Sequence, residues 1–273
     1  MTPRPDGRII APVPGSPARL SLDAVPSVLR ARLPEHAVLT AARHGQSASV
    51  AFVDGIEGEP LVLKHAAEAP YVTWLRAEAE VLRALADSSL PVPRVMGVHG
   101  DESEAWLLLS RLPGEPLVEV LAATREAERP AWFRELGRLL AAIHTTPVPG
   151  CLVERDSTPW WQRPRPPLDP ARSDDMLSAT RLHGAEAPPA VFVHGDFTLD
   201  NVLGRDGRSS GVVDWGGAGR GDPRYDVALA LTSSAEGRVQ LPSPACVAAF
   251  YDGYLEVVAD ADAELHAYFS ASR

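Results

Sequence analysis

The stretch Val191–Gly217, reading VFVHGDFTLDNVLGRDGRSSGVVDWGG, constrains this chain more than any other. A short apolar β-branched run, Val191–Val193, leads His194-Gly195-Asp196 into a loop closed by Asn201, and a second apolar run, Gly211–Val213, delivers Asp214. Asp206-Gly207 between them marks a turn. The pattern predicts a hairpin that gathers the carboxylates of Asp196 and Asp214 and the carboxamide of Asn201 at one end. Such a set can take a proton and hold Mg²⁺ through hard oxygen ligands.

Phosphoryl transfer asks for little more than these groups and a cation on the nucleotide phosphates. Lys64 is the candidate cation. It is the only lysine in the chain, every other basic residue of the Lys+Arg total of 26 being arginine. One compact ammonium kept in an arginine-using sequence suggests a site where a planar guanidinium does not fit. Its setting, Pro60-Leu-Val-Leu-Lys64, reads as the end of a strand.

His194-Gly195-Asp196-Phe-Thr-Leu-Asp-Asn201, then Val-Val-Asp214-Trp-Gly, then Gly221-Asp222-Pro-Arg-Tyr-Asp226, resemble the aminoglycoside phosphotransferase and choline kinase-like family, small-molecule relatives of the protein kinases. The resemblance runs from about Leu39 to about Tyr254. It implies an α+β, protein-kinase-like fold of two lobes. Residues 1–110 would form a nucleotide-binding lobe with an antiparallel sheet and one main helix, and residues 111–273 a larger, mainly helical catalytic and substrate-binding lobe.

The local patterns fit that division. Residues 1–20 are proline-rich and aperiodic, an arm or a strap, and Ser21–Leu33 is a plausible short helix. Strands are expected at Val38–Ala42, Ser49–Val53 and Leu61–Lys64, with turns at Gly45-Gln-Ser47 and Asp54-Gly55. In the family the first of these turns covers the nucleotide phosphates. Here it reads Arg43-His-Gly45-Gln-Ser47, with no GxGxxG, so backbone amides and Ser47 would serve; a plain hairpin loop is the other reading.

Val72–Ala86 is expected to be a helix with Leu75, Leu82 and Leu85 on one stripe. At about 100° per residue, Glu78 falls within that stripe and Glu80 opposite it. A core-facing carboxylate needs a partner. Lys64 is the natural one, matching the family's lysine–glutamate pair on the α- and β-phosphates; the alternative is an edge pair with arginine. Strands at Arg94–Val98 and Ala105–Ser110 follow, then the break Arg111-Leu-Pro-Gly114, a turn by sequence. The resemblance makes this the hinge, where backbone groups around Ser110 and Leu112 hydrogen-bond the purine.

Beyond Gly114 the periodicity is helical. Ala131–Thr145 carries a core stripe and ends in His144, read as a C-terminal cation or a packed histidine. Pro147–Pro189 is irregular, with Trp160, Trp161, Asp174 and Asp175. In the family this region helps bind the phosphate acceptor, and aromatic and acidic side chains suit a cationic sugar or amine; the tryptophans could equally anchor the loop. Asp222-Pro223 reads as the start of a helix Arg224–Ser233. Asp226 in its first turn braces the catalytic loop by the resemblance, and His194 supports the loop rather than reacting. Ala245–Val258 is the last expected helix, followed by a polar segment without the acidic close that some aminoglycoside kinases use.

The resemblance therefore implies Mg²⁺ held by Asn201 and Asp214, ATP or GTP as donor, Asp196 as the catalytic base, and a hydroxylated, cationic small molecule as acceptor. An antibiotic, an aminoglycoside first, is the leading acceptor; a metabolite kinase for choline, a sugar, homoserine or a fructosamine, or a non-catalytic nucleotide-binding module, are the alternatives. The formal net charge of −10 disfavours nucleic acid and anionic membranes as partners. No apolar run is long enough to span a membrane and the N-terminus lacks the apolar centre of a secretory signal, so a cytoplasmic monomer or dimer is expected. Cys151 and Cys246 suggest neither a disulfide framework nor a metal site, and both are expected to be at least half-buried. The remaining histidines lack ligand spacing, against a metal-dependent hydrolase. Gly217-Ala-Gly219-Arg-Gly221 is not GxGxxG, against a dinucleotide-binding dehydrogenase.

Overall fold

The computed structural model describes residues 20–42, 48–55, 58–153, 189–231 and 242–271. A short helix, α1 (Ser27–Arg30), precedes three antiparallel strands, β1 (Val38–Ala41), β2 (Ser49–Asp54) and β3 (Leu61–Ala66). Helix α2 (Ala69–Ala84) then leads to β4 (Val95–Gly100) and β5 (Ala105–Ser110), which complete a five-stranded sheet in the order β1-β2-β3-β5-β4. Instead of one helix over Ser21–Leu33, a 3-10 turn at Leu22–Ala24 and α1 flank Val25-Pro26. Pro26 cannot continue a helix that needs its N–H, so a new one starts after it.

Strand alternation explains how this sheet serves two cores. On β3 and β5, Leu61, Leu63, Trp106 and Leu108 pack with Val25 and Leu29 of the first segment. The alternate positions Ala66, Leu107 and Leu109 face α2 and join the main core. Period two therefore puts Lys64 on the α2 side of the sheet, and all six residues of β5 are buried, as a central strand requires.

After the break at Arg111–Gly114 come β6 (Glu115–Pro116), α3 (Leu117–Ala123), α4 (Arg129–His144) and α5 (Gly150–Val153). The chain continues as β7 (Val191–Val193), β8 (Val202–Arg205), β9 (Arg208–Val212), β10 (Gly219–Gly221), α6 (Pro223–Leu231), α7 (Pro244–Ala261) and α8 (Ala263–Ala271). Beyond the sheet the architecture is mainly helical, as expected, and its core is continuous with that of α2. The polar segment expected after the last helix is itself a helix, α8, which buries Leu265 and Phe269; Asp262 accepts from the Leu265 N–H at 2.9 Å to start it.

Helices α4 and α7 approach closely through a pair of glycines. A Cβ on Gly137 would lie 2.0 Å from the Phe250 carbonyl oxygen, and one on Gly253 would lie 2.1 Å from that of Arg134. Among the described residues, no helix is long and apolar enough to cross a membrane. Cys246 is buried, but Cys151 is exposed, contrary to expectation, because it sits on the outer side of the short α5.

Candidate active site

The expected hairpin exists, with different strands. β8 and β9 form it around Asp206-Gly207, while Val191–Val193 pairs instead with Gly219–Gly221. Two small sheets thus replace one. Asn201 and Asp214 flank the open end of the β8–β9 hairpin, and the Val213 N–H donates to the Asn201 carbonyl at 2.9 Å. Asp196 reaches the same place because the Asn201 carboxamide NH₂ donates to its carbonyl at 2.9 Å and to its carboxylate at 2.8 Å.

Lys64 joins this group from the sheet. Its ammonium donates to both carboxylate oxygens of Glu78, at 2.8 and 2.9 Å, and contacts the Asp214 carboxylate. Glu78 is buried on α2 facing the sheet, with Glu80 exposed, as the helical stripe requires. Burial opposes the charge on Lys64, but Asp214 and Glu78 outweigh it and hold its pKa above that of ordinary lysine. Although half of the Asp214 side chain is exposed, the protein packed around its other side opposes its ionisation, yet the Lys64 ammonium keeps its carboxyl below the usual aspartate value. Asp214 takes a left-handed backbone, φ 65° and ψ 56°, which a short polar side chain tolerates better than most and which marks a locally constrained position.

The loop 194–201 is braced from below. The Asp226 carboxylate, fully buried on α6, accepts from the His194 N–H at 2.7 Å and from the Gly195 N–H at 2.9 Å. Gly195 has φ +80°, and a Cβ there would lie 2.2 Å from the Gly217 carbonyl oxygen, so glycine is required on both counts. The His194 ring accepts from the Asp196 N–H through Nδ1 at 3.2 Å and faces the Val213 carbonyl through Nε2 at 3.0 Å, which assigns the Nε2–H tautomer. Burial depresses its pKa. His194 thus ties Asp196 to the segment after β9 that carries Asp214.

The positions expected at the hinge are also held. Ser110 is buried, its hydroxyl accepts from the Arg94 N–H at 2.9 Å, and the Arg111 N–H donates to the Pro60 carbonyl at 2.8 Å. Leu112 is half-buried against Gly211, where a Cβ would come within 2.5 Å of its side chain. Ser47, Trp160, Trp161, Asp174 and Asp175 lie outside the described residues.

Sequence reasoning left one connection unread. His144, at the end of α4, faces Asp226 through Nε2 at 3.5 Å and the Tyr254 hydroxyl through Nδ1 at 2.7 Å. A polar residue on an otherwise apolar stripe was the available signal, since burial demands a partner. What the partner would be depends on a helix more than a hundred positions away.

Hard oxygen donors, a charged lysine fixed by two carboxylates and the exposed Asp196 carboxylate make an arrangement suited to phosphoryl transfer. The comparisons with known proteins agree. The family described as "Phosphotransferase enzyme family" (APH) matches residues 38–268. Viomycin phosphotransferase of Streptomyces vinaceus is 36% identical over 188 residues, covering 60% of this chain and 66% of that protein. An aminoglycoside 3'-phosphotransferase of Streptomyces fradiae is 30% identical over 225 residues, covering 75% of this chain and 82% of that protein. Among solved structures, an aminoglycoside-3'-phosphotransferase of type VIII superposes with a TM-score of 0.62 at 28% identity, covering 90% of this chain and 95% of that one. The macrolide 2'-phosphotransferase of Brachybacterium faecium, at 18% identity and a TM-score of 0.54 over 85% of this chain and 81% of that one, shares the fold. The chain belongs to the phosphotransferase enzyme family typified by the aminoglycoside phosphotransferases, and is a phosphotransferase of protein-kinase-like fold.

Proposed function

We propose that this enzyme transfers the γ-phosphoryl group of ATP to a hydroxyl of a cationic antibiotic, an aminoglycoside first, and so inactivates it. The observation that carries the reading is the bridging of Glu78 and Asp214 by Lys64 beside the hydrogen-bonded pair Asp196–Asn201. Residues 1–110 are the nucleotide lobe in this reading and residues 111–273 the catalytic lobe, with the nucleotide between them. Backbone groups around Ser110 and Leu112 receive the purine, and Ser47 with its neighbouring amides covers the phosphates.

Asn201 and Asp214 fit Mg²⁺. Both offer oxygen, the Asn201 NH₂ is committed to Asp196 so that its carbonyl oxygen is left for a cation, and few protein ligands suffice for an ion that keeps its waters. When bound, the ion would neutralise charge developing on the phosphoryl oxygens. Lys64, held by Glu78, neutralises the α- and β-phosphates. Asp196 accepts a hydrogen bond from the acceptor hydroxyl and takes its proton late, as the new O–P bond forms and ADP leaves. A loose transition state asks more for positioning than for a strong base.

The acceptor class is supported by the aminoglycoside 3'-phosphotransferases among the relatives and by the net charge of −10, which favours a cation. Trp160, Trp161, Asp174 and Asp175 are the residues whose chemistry suits such an acceptor. The similarity to viomycin phosphotransferase favours a second acceptor class, a cationic peptide antibiotic. The site of action is cytoplasmic in either case.

A coupled ADP-release assay with Mg·ATP or Mg·GTP against aminoglycosides, viomycin, macrolides, choline and sugars tests the reading, with Asp196→Ala as control. Turnover on one antibiotic class, lost in the variant, is the expected result. Turnover on choline or a sugar alone would replace the antibiotic by a metabolite. Calorimetry showing no Mg·nucleotide binding would overturn the catalytic reading.

A further inference from the structure

Tyr254 is fully buried on α7, far in sequence from any residue of the catalytic loop, yet its hydroxyl points at that loop's support. Its ring packs against Phe250, with centroids 6.3 Å apart, and against Phe269 at 4.9 Å. Those contacts use the ring alone. The hydroxyl lies 2.7 Å from His144 Nδ1, His144 Nε2 lies 3.5 Å from an Asp226 carboxylate oxygen, and Asp226 receives the N–H groups of His194 and Gly195. The side chains of His144 and Asp226 have no exposed surface, so bulk solvent reaches neither of them.

One arrangement of protons, with a single hydrogen on the imidazole, satisfies every member. The Asp226 carboxylate accepts from two backbone amides and can only accept again, so Nε2 of His144 must carry the hydrogen that faces it. In that arrangement Nδ1 is an acceptor and needs a donor, and the Tyr254 hydroxyl is the one in reach. Burial first, and Asp226 next, push the tyrosine hydroxyl well above its ordinary pKa, so it keeps its proton. Without that donor the imidazole can flip or change tautomer and turn a lone pair toward the carboxylate.

We infer that Tyr254 is a positioning residue of this enzyme: its hydroxyl fixes the tautomer of His144, which fixes the Asp226 carboxylate against the amides of His194 and Gly195, and thereby the backbone that presents Asp196. The catalytic consequence rests on the phosphotransfer reading given above; the structural relay does not.

The test compares wild type with Tyr254→Phe, which keeps the ring, and with Phe269→Leu, which loosens the same packing without touching the relay. Nitrogen-15 spectra of the imidazoles, with His144→Gln to assign the signal, are expected to show wild-type His144 in the Nε2–H form and a mixture of tautomers in Tyr254→Phe. Amide exchange of His194 and Gly195 should accelerate about fivefold to tenfold in Tyr254→Phe relative to the β3 and β5 amides. With an accepted antibiotic, kcat should fall about tenfold while KM for Mg·ATP stays within about twofold. Phe269→Leu should lower Tm but leave tautomer, local exchange and kcat unchanged.

An Nδ1–H tautomer in wild type would overturn the relay whether or not the variant folds. So would acceleration of exchange equally across all the amides, which would make Tyr254 a packing residue only. Absence of wild-type turnover on every acceptor would overturn the phosphotransfer reading instead, and the spectra and exchange would still decide the relay.

Discussion

Lys64 and Asp214, 150 positions apart in sequence, form an ion pair that ties the sheet to the β8–β9 hairpin. The same ammonium is held by Glu78, so one cation is shared by two carboxylates, one buried with 5% of its side chain exposed and one 52% exposed. The pair therefore leaves one negative charge at the exposed end, on the side chain proposed above to hold Mg²⁺. A bound cation would relieve that charge.

Replacing Lys64 by Met should separate its structural from its chemical role. The variant leaves Glu78 buried without a cation, a change that costs on the order of 3–5 kcal/mol for a broken buried pair. At about 2–4 °C per kcal/mol in a chain of this size, Tm should fall by roughly 6–20 °C. Adding Glu78→Leu removes the stranded carboxylate and should recover most of that loss, because paired replacement by apolar groups is often near neutral. Activity should not return, staying about 10²–10³-fold down as expected for loss of one electrostatic contact to the reacting phosphates. Thermal melts and ADP release on both variants are the measurements. Full recovery of activity in the double variant would remove Lys64 from the chemistry.

Asp196→Asn is expected to behave in the opposite way. Asp196 is exposed, and an amide oxygen can still accept from the Asn201 NH₂ that now bonds the carboxylate at 2.8 Å. Tm should hold within about 2 °C, since surface changes of this kind lie near ±0.5 kcal/mol. Loss of the proton acceptor should lower kcat about 10²–10⁴-fold, with KM for Mg·ATP nearly unchanged. A change in KM alone would assign Asp196 to binding.

The pH dependence of stability should report His194. Its folded pKa lies below the ordinary histidine value because burial disfavours the imidazolium. The unfolded chain therefore binds more protons than the folded one between the folded pKa and about 6.5, and stability rises with pH there. On acidification the loss begins as pH falls through about 6.5 and levels off below the folded pKa. In His194→Gln the slope of unfolding free energy against pH over that interval should shrink by up to about one proton's worth, or about 1.4 kcal/mol per pH unit. Urea melts between pH 5 and 7.5 give the slopes; identical slopes would mean that His194 does not stay neutral on folding.

The sequence made some of this site legible and hid the rest for identifiable reasons. Lys64 and Glu78 could be paired because strand period two and helix period 3.6 each fix a side-chain direction locally. Asp226 could be placed near its helix start by Asp222-Pro223, and the Arg224 N–H indeed donates to the Asp222 carboxylate at 2.9 Å. The hairpin partner was misread because Val191–Val193 and Gly211–Val213 are both short apolar runs, and periodicity says nothing of which strand a strand pairs with. Gly219–Gly221, the actual partner of Val191–Val193, has almost no side chains from which a strand can be inferred. His144 and Tyr254 were hidden for a third reason. Their contact depends on how closely two helices cross, and that is set by glycines whose role appears only in three dimensions.

Those glycines allow a prediction in which two effects of opposite sign compete. Alanine at Gly137 or Gly253, inside α4 and α7, gains about 1 kcal/mol of helix propensity. The added Cβ, however, would lie 2.0 or 2.1 Å from a backbone carbonyl oxygen of the facing helix, and a main chain cannot rotate away as a side chain can. Forced separation of packed helices costs about 1–3 kcal/mol and sometimes more, so with backbone atoms this close each alanine should destabilise on balance, by up to about 2 kcal/mol. Moving α7 outward also draws Tyr254 from His144, whose 2.7 Å contact lies across the same helix pair. Gly137→Ala should therefore reproduce part of the Tyr254→Phe effect on kcat, and combining the two should cost less than the product of the separate losses. Urea melts and kcat on the single and double variants test this. A stabilised Gly137→Ala protein, or fully multiplicative losses, would show that the crossing and the catalytic loop are independent.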